Sequence, residues 1–216
     1  MADVRKLWIE GPSGRLEAAL RVAAAPRAGA VLAHPHPLYG GTLHNPVVFH
    51  ADRALHEAGL TTLRFNFRGV EGSEGAHDEA RGEVDDVAAA VRWTRGLLGG
   101  KPLVLVGYSF GSYCSIACAL RDPAVTGVVA IGLPARQYDF SGLARLGRPL
   151  AVVQGTRDEF GTIEEVEALL SGTSPRGHLF PVVGAIHLFP GRAAEAAARV
   201  VEAVEAMLQP SSTSSD

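Results

Sequence analysis

The sequence predicts an α/β fold, a mostly parallel β-sheet covered by helices on both faces. Short apolar runs alternate along the chain with segments whose apolar residues recur at helical spacing. The runs are apolar almost throughout, which is typical of strands buried on both faces of a sheet. With 216 residues, 47% of them hydrophobic, the chain is long enough to bury a full core. We therefore expect right-handed crossovers, and ligands bound beyond the carboxyl ends of the strands.

The first half of the chain begins with an antiparallel hairpin, because KLWIE and RLEAALRVA flank the turn GPSG. GAVLAH is the next strand, and NPVVFHADRALHEAG is a helix that ends at Gly59. LTTLRFNF is then a strand, and a glycine-rich loop joins it to the helix GEVDDVAAAVRWTRGLL. The acidic residues at the start of that helix favour its dipole, and we interpret them as structural.

The second half continues the alternation. PLVLVGY is a strand, and GSYCSIACALRD is a helix that ends before Pro123. VTGVVAIG, PLAVVQG and HLFPVVG are three more strands, all expected to be buried, and the helices TIEEVEALLS and AAEAAARVVEAVEAML follow the last two. Between VTGVVAIG and PLAVVQG, the segment LPARQYDFSGLARLGR is too short for a cap domain.

Length and composition restrict the class of protein. We expect a single domain over residues 1–208, followed by a disordered tail, QPSSTSSD, at 209–216. A net charge of −3 and a pI near 6.2 offer no basic face for nucleic acid or an anionic membrane. No apolar stretch is long enough to span a membrane, and MADVRKLWIEGPSG lacks the features of a signal peptide. The expected location is the cytoplasm, where Cys114 and Cys118 would be two packed thiols on one helix face.

The stretch LVLVGYSFGSY carries the strongest functional motif. Ser109 lies between Gly107 and Gly111, where a buried strand ends and a helix begins. Gly-X-Ser-X-Gly in that context is a nucleophile elbow, a turn so tight that side chains beside the serine would clash. The helix that starts there directs its N–H groups at developing negative charge. Ser109 is therefore the candidate nucleophile.

A serine nucleophile needs a base, and the base needs an orienting carboxylate. In a fold of this type the chain order is serine, then acid, then histidine. Asp158 and Glu159 follow the strand PLAVVQG, and His187 follows HLFPVVG, so both positions suit that order. We expect His187 to be the base and Asp158 the acid, with Glu159 as its rival.

An oxyanion hole needs two N–H donors. One is the N–H after the nucleophile, that of Phe110, and the other comes from the loop after an early strand. That loop reads AHPHPLYGG, and its prolines have no N–H, which leaves His36 or Leu38 as the second donor. A competing interpretation makes His34 and His36 a metal-binding pair, but no carboxylate-rich cluster accompanies them.

With these pieces in order, the chain resembles the α/β-hydrolase superfamily over nearly its whole length. HPHPLYGGTLHNPVV, LRFNFRGVEGSEG and GYSFGSY are similar to the small, lidless branch of bacterial hydrolases related to dienelactone hydrolases. The resemblance implies a serine esterase with Ser109, Asp158 and His187 as its triad. GAIHLF stands where that branch commonly has GADHFF, which keeps the histidine and loses the neighbouring acid. True dienelactone hydrolases have a cysteine nucleophile, whereas this chain has Ser109.

These observations predict a hydrolase that needs no metal and no organic cofactor. The expected substrate is a small soluble ester with a short acyl chain, because no lid is present to bury a long one. Tyr138, Phe140 and Leu143 are the residues that could still fold over the site. Alternatives are a thioesterase, peptidase or acyltransferase with the same triad, or a hydrolase-like scaffold that only binds a ligand. The oligomeric state stays open.

Arg68 is a further polar residue at the expected site. It follows the strand LTTLRFNF at its carboxyl end. It would either bind a substrate carboxylate or brace its own loop, and we favour the brace.

Overall fold

The computed structural model describes residues 4–209 and contains one eight-stranded sheet. Apart from Gln209, the expected tail at 209–216 lies outside the described residues. The strands are β1 (Arg5–Gly11), β2 (Gly14–Arg21), β3 (Ala28–Ala33), β4 (Leu60–Phe65), β5 (Leu103–Tyr108), β6 (Gly127–Ile131), β7 (Leu150–Gly155) and β8 (His178–Val182). Their order across the sheet is β1-β2-β4-β3-β5-β6-β7-β8.

Strand pairing confirms the predicted architecture, a mostly parallel sheet with an N-terminal antiparallel hairpin. β1 and β2 form the N-terminal antiparallel hairpin, and β2 also pairs antiparallel with β4. From β4 to β8, each pair of neighbours in the sheet is parallel. The carboxyl ends of β3, β5, β7 and β8 therefore meet at one edge of the sheet, and the candidate residues follow those ends.

Helices cover both faces of the sheet. They are α1 (Pro46–Glu57), α2 (Arg81–Leu98), α3 (Phe110–Arg121), α4 (Ile163–Ser171) and α5 (Ala193–Leu208). One buried cluster contains residues of α2, α3 and α4, and a second contains residues of α1 and α5. Because side chains alternate between the faces of a strand, Leu105 belongs to the first cluster, whereas Val104 and Val106 belong to the second.

Local sequence explains where several helices begin. Asn45 caps α1 by accepting the N–H of Val47, and Pro46 occupies the first turn, where a missing N–H costs nothing. A reciprocal capping box begins α4, because Thr162 and Glu165 each accept the other's backbone N–H.

The expectation that HLFPVVG is a buried strand is wrong for most of β8. His178 and Pro181 are exposed, Leu179 and Phe180 are half-buried, and Val182 is fully buried. The reason is topological, because β8 pairs with β7 and forms an edge of the sheet. An edge strand also accommodates Pro181, because its missing N–H would cost a ladder hydrogen bond in a central strand.

No cap domain lies between β6 and β7 in the described chain. The segment holds one short 3-10 helix, Ser141–Arg145. Phe140 and Leu143 pack into the core cluster on the α3 side instead of covering the site. Elsewhere in residues 4–209, no helix has both the length and the apolar character needed to cross a bilayer.

Candidate active site

Ser109 lies at the junction of β5 and α3 in a backbone conformation that L-residues rarely adopt. Its φ is 53° and its ψ is −116°. The junction is closely packed, since a side chain on Gly107 would collide with the carbonyl of Gly111, and one on Gly111 with that of Ala33. The N–H of Ser109 donates to Ile131 O at 2.8 Å, which fixes the strained turn to β6.

His187 joins Ser109 to Asp158 through hydrogen bonds. Its Nε2 lies 2.8 Å from Ser109 Oγ, and its Nδ1 lies 2.9 Å and 3.0 Å from the two carboxylate oxygens of Asp158. The three residues are buried, and β5, β7 and β8 place them at the same edge of the sheet. Because the Asp158 carboxylate can only accept, Nδ1 carries a proton and Nε2 is free to accept one from the serine.

Asp158 and Glu159 occupy different places around His187. Glu159 does not reach the ring nitrogen, and its Oε2 accepts the backbone N–H of His187 at 3.3 Å. Asp158 contacts the ring and also accepts the N–H of Phe160 at 2.9 Å, which orients its carboxylate. The structure therefore brings Asp158, and not its rival, into line with the imidazole and the hydroxyl.

Two aromatic residues that sequence reasoning missed also hold His187. Tyr108 Oη donates to the carbonyl of His187 at 2.9 Å, and burial raises the pKa of this phenol well above its usual range. The ring of Phe160 meets the imidazole edge-on at 4.5 Å between centroids. Tyr108 ends an apolar strand and Phe160 lies in a loop, so neither position carries a sequence signal for contact with a histidine far along the chain.

The candidate oxyanion donors differ in their hydrogen bonds. The N–H of Leu38 donates to His36 Nδ1 at 3.2 Å, so this donor is already engaged. Within residues 4–209, neither Phe110 nor His36 donates its backbone N–H to a protein acceptor. Partial burial, together with the neighbouring His77, lowers the pKa of His36. Its ring thus stays neutral near pH 7, as Nδ1 must to accept the Leu38 N–H.

The structure does not support the metal-binding pair. His34 Nε2 accepts the N–H of Phe67 at 3.1 Å, and its Nδ1 lies 2.6 Å from Pro35 O. Nδ1 is therefore the protonated nitrogen, and neither ring nitrogen has a free lone pair for a metal. Among the described residues, no group of three or more histidine, cysteine or acidic side chains is placed to hold a metal ion.

Burial of His34 predicts a loss of stability in weak acid. Burial lowers its pKa to about 4, from about 6.5 in an unfolded chain. Between those values the unfolded chain binds a proton that the folded chain does not, so stability falls as pH decreases. From about pH 7 to about pH 5, His34 is expected to lower the free energy of unfolding by about 2 kcal/mol.

Urea unfolding of wild type and His34→Gln at both pH values measures this loss. We expect the decrease to shrink by about 2 kcal/mol in His34→Gln, whatever the variant's stability at neutral pH. The control is His178→Gln, which removes an exposed histidine and should leave the decrease unchanged. An equal decrease in wild type and His34→Gln would show that His34 does not cause it.

Arg68 braces its loop, as the sequence favours. Its Nε and Nη2 donate to both carboxylate oxygens of Asp86, and Nη2 also donates to the carbonyl of Gly82. The side chain is almost wholly buried, so its donors face protein and not a substrate. Asp86 thus ties α2 to the loop after β4.

A cleft of about 400 Å³ opens over Ser109 and His187. Tyr138, Phe140 and Leu143 are the residues that the sequence leaves able to fold over the site. Tyr138 lines this cleft, whereas Phe140 and Leu143 do not. Its rim includes Tyr39 and Leu188, whose exposed fractions are 86% and 67%. The arrangement places a serine hydroxyl hydrogen-bonded to an imidazole, together with unengaged N–H groups, in one open cleft, and such an arrangement can support nucleophilic attack on a carbonyl.

The chain is similar to several known proteins in sequence and in fold. The family model described as alpha/beta hydrolase fold matches residues 38–162. An uncharacterized protein of Rickettsia prowazekii is 36% identical over 174 residues, which cover 78% of this chain and 73% of the relative. A serine hydrolase without a lid from Xanthomonas campestris is 31% identical, with a TM-score of 0.87 over 98% of both chains. A serine hydrolase homologue from Coxiella burnetii is 35% identical, with a TM-score of 0.82 over 94% of this chain and 97% of the other.

Proposed function

The chain belongs to the alpha/beta hydrolase fold family, and from that membership we propose that it is a serine hydrolase that cleaves carboxylic esters through an acyl-enzyme. The observation that supports this proposal is the pair of hydrogen bonds that connect Asp158 to His187 and His187 to Ser109. In the proposed mechanism these residues are the orienting acid, the base and the nucleophile, each within hydrogen-bond distance of the next.

Acylation begins with attack of Ser109 Oγ on the ester carbonyl carbon. The hydroxyl proton passes to His187 Nε2, and Asp158 stabilises the imidazolium that forms. Collapse of the tetrahedral intermediate breaks the bond to the alcohol oxygen, which takes the proton from Nε2. Water then attacks the acyl-serine, giving its proton to Nε2, and the second collapse releases the acid and returns the proton to Ser109.

The backbone N–H groups of Phe110 and His36 are the oxyanion donors of this mechanism. Both are unengaged, whereas the N–H of Leu38 would first have to break its hydrogen bond to His36 Nδ1. Pro35 and Pro37 restrict the backbone on each side of His36, so its N–H is held in place before substrate arrives. Donors fixed in advance stabilise the charge that develops in the transition state without reorganising.

The open cleft favours short acyl chains. A volume of about 400 Å³ accommodates a small ester, and no lid covers an acyl chain that extends past the rim. A methylene that stays in water forgoes the roughly 0.8 kcal/mol that burial would contribute. We therefore expect kcat/KM for p-nitrophenyl esters to be highest with short acyl chains and to fall toward palmitate, without a rate increase above the micellar concentration.

A substrate panel tests both the bond type and the chain length. It compares kcat/KM for p-nitrophenyl esters from acetate to palmitate with acyl-CoA thioesters and peptide amides of matched acyl group. Ester turnover should exceed thioester and amide turnover. A preference for thioesters would replace the proposed substrate class while leaving the triad in place, and a maximum at laurate or longer would contradict the short-chain preference.

A further inference from the structure

A second acid–histidine pair lies next to His36, in the interior beside the loop that follows β3. His77 Nδ1 is 2.8 Å from Glu83 Oε1, and the exposed fractions of the two side chains are 15% and 0%. His77 belongs to the loop between β4 and α2, and Glu83 lies in the first turn of α2. The sequence interpretation of this acidic turn as a complement to the helix dipole leaves such complete burial unexplained.

Glu83 holds a fixed position in the interior. Its Oε1 accepts the N–H of Asp78 at 2.8 Å, while Oε2 has no hydrogen-bond partner among the described residues. His77 Nδ1 also has no partner with hydrogen-bond geometry, although it lies close to Glu83 Oε1. A buried carboxylate is costly unless a polar or charged group faces it, and His77 is placed to be that group.

His77 packs against both residues that carry the proposed oxyanion donors. Its ring centroid lies 5.1 Å from that of His36 and 5.8 Å from that of Phe110. The rings of His36 and Phe110 are themselves 4.8 Å apart. His36, Phe110 and His77 thus form one ring cluster, and Glu83 restrains it from the interior.

From this arrangement we propose that His77 is a positioning residue of the oxyanion hole. Glu83 holds the His77 ring, the ring supports His36 and Phe110, and their N–H groups stay directed at the oxyanion. This inference rests on the proposed function. Because the donors act most strongly on the charge of the transition state, loss of support should reduce kcat more than it raises KM.

Steady-state kinetics on p-nitrophenyl acetate separate positioning from general damage. In His77→Ala we expect kcat to fall about ten- to a hundredfold, part of the loss known for deleting one oxyanion donor, and KM to change little. Affinity for a phenylboronic acid, which forms a charged tetrahedral adduct with the serine, should fall by a similar factor. Glu83→Gln should reproduce the effect, and the double variant should be no worse than His77→Ala, since both act through one contact.

Two further variants are needed, one in case His77→Ala does not fold and one as a surface control. His77→Asn keeps a polar group facing Glu83 but removes the ring, so it should lose activity as His77→Ala does and serves if the alanine variant fails to fold. His44→Ala removes an exposed histidine that lies 3.9 Å from Glu71, and its kinetics should stay within twofold of wild type. An unchanged kcat in folded His77→Asn, or a rise in KM alone, would overturn the proposal.

A readout independent of turnover can refute the inference even if the proposed function fails. In ¹H–¹⁵N NMR spectra, the amide signals of His36 and Phe110 should move in folded His77→Asn and stay in place in His44→Ala. Signals unmoved in His77→Asn would refute the positioning role. A wild-type protein without Ser109-dependent ester turnover would refute only the proposed function, and the amide signals would still test the role of His77.

Discussion

Ser109→Ala is expected to reduce turnover of p-nitrophenyl acetate by a factor on the order of 10³ to 10⁶, because members of a triad act as a unit. The substitution removes the Oγ that lies 2.8 Å from His187 Nε2. Without it, no acyl-enzyme forms, and only binding and the oxyanion donors remain to assist attack by water.

Ser115→Ala is a matched control for this loss. Ser115 lies in the same helix, α3, is fully buried, and its hydroxyl has no hydrogen-bond partner among the described residues. Its removal should leave kcat/KM nearly unchanged, because it breaks no hydrogen bond. Turnover by Ser109→Ala within tenfold of wild type would exclude Ser109 as the nucleophile.

Asp158→Asn should keep the fold and lower kcat by about 10³- to 10⁴-fold. The carboxylate of Asp158 holds the proton on His187 Nδ1, which leaves Nε2 to accept the serine proton. An asparagine can donate its amide N–H to Nδ1 and so favours the opposite tautomer, in which Nε2 is already protonated. The measurement is kcat on p-nitrophenyl acetate, with circular dichroism to confirm folding.

Glu159→Gln provides the comparison for the acid. A glutamine retains an oxygen that can accept the N–H of His187, as Glu159 Oε2 does. We expect less than a tenfold loss, since the ring and its tautomer are untouched. If Glu159→Gln is the inactive variant and Asp158→Asn is not, then Glu159 is the acid.

The fold could be predicted because periodicity is a local property. Nearly continuous apolar strands, helices at the expected spacing and the GPSG turn determine the element order, and the structure confirms it. The burial of β8 could not be predicted, since HLFPVVG has the composition of a central strand and its edge position depends on the order of the whole sheet.

The site could be predicted only where a residue follows a strand end. Ser109, Asp158 and His187 each do, and the structure brings them together, although their catalytic roles remain predictions. The choice between His36 and Leu38 depends on a ring nitrogen that engages the Leu38 N–H, which spacing does not encode. His77 and Glu83 were not expected as a pair, because a loop and a helix turn meet only in the folded chain.

Labelling by a fluorophosphonate probe tests the central claim most directly. The probe reacts with a serine hydroxyl that a histidine activates. An oxyanion hole can hold the phosphoryl oxygen of the probe during this reaction. In folded wild-type protein, mass spectrometry should find the probe on Ser109, and Ser109→Ala should remain unlabelled. Folded wild-type protein that stays unlabelled, or labelling at another residue, would contradict a nucleophilic Ser109 and favour a hydrolase-like protein that only binds its ligand.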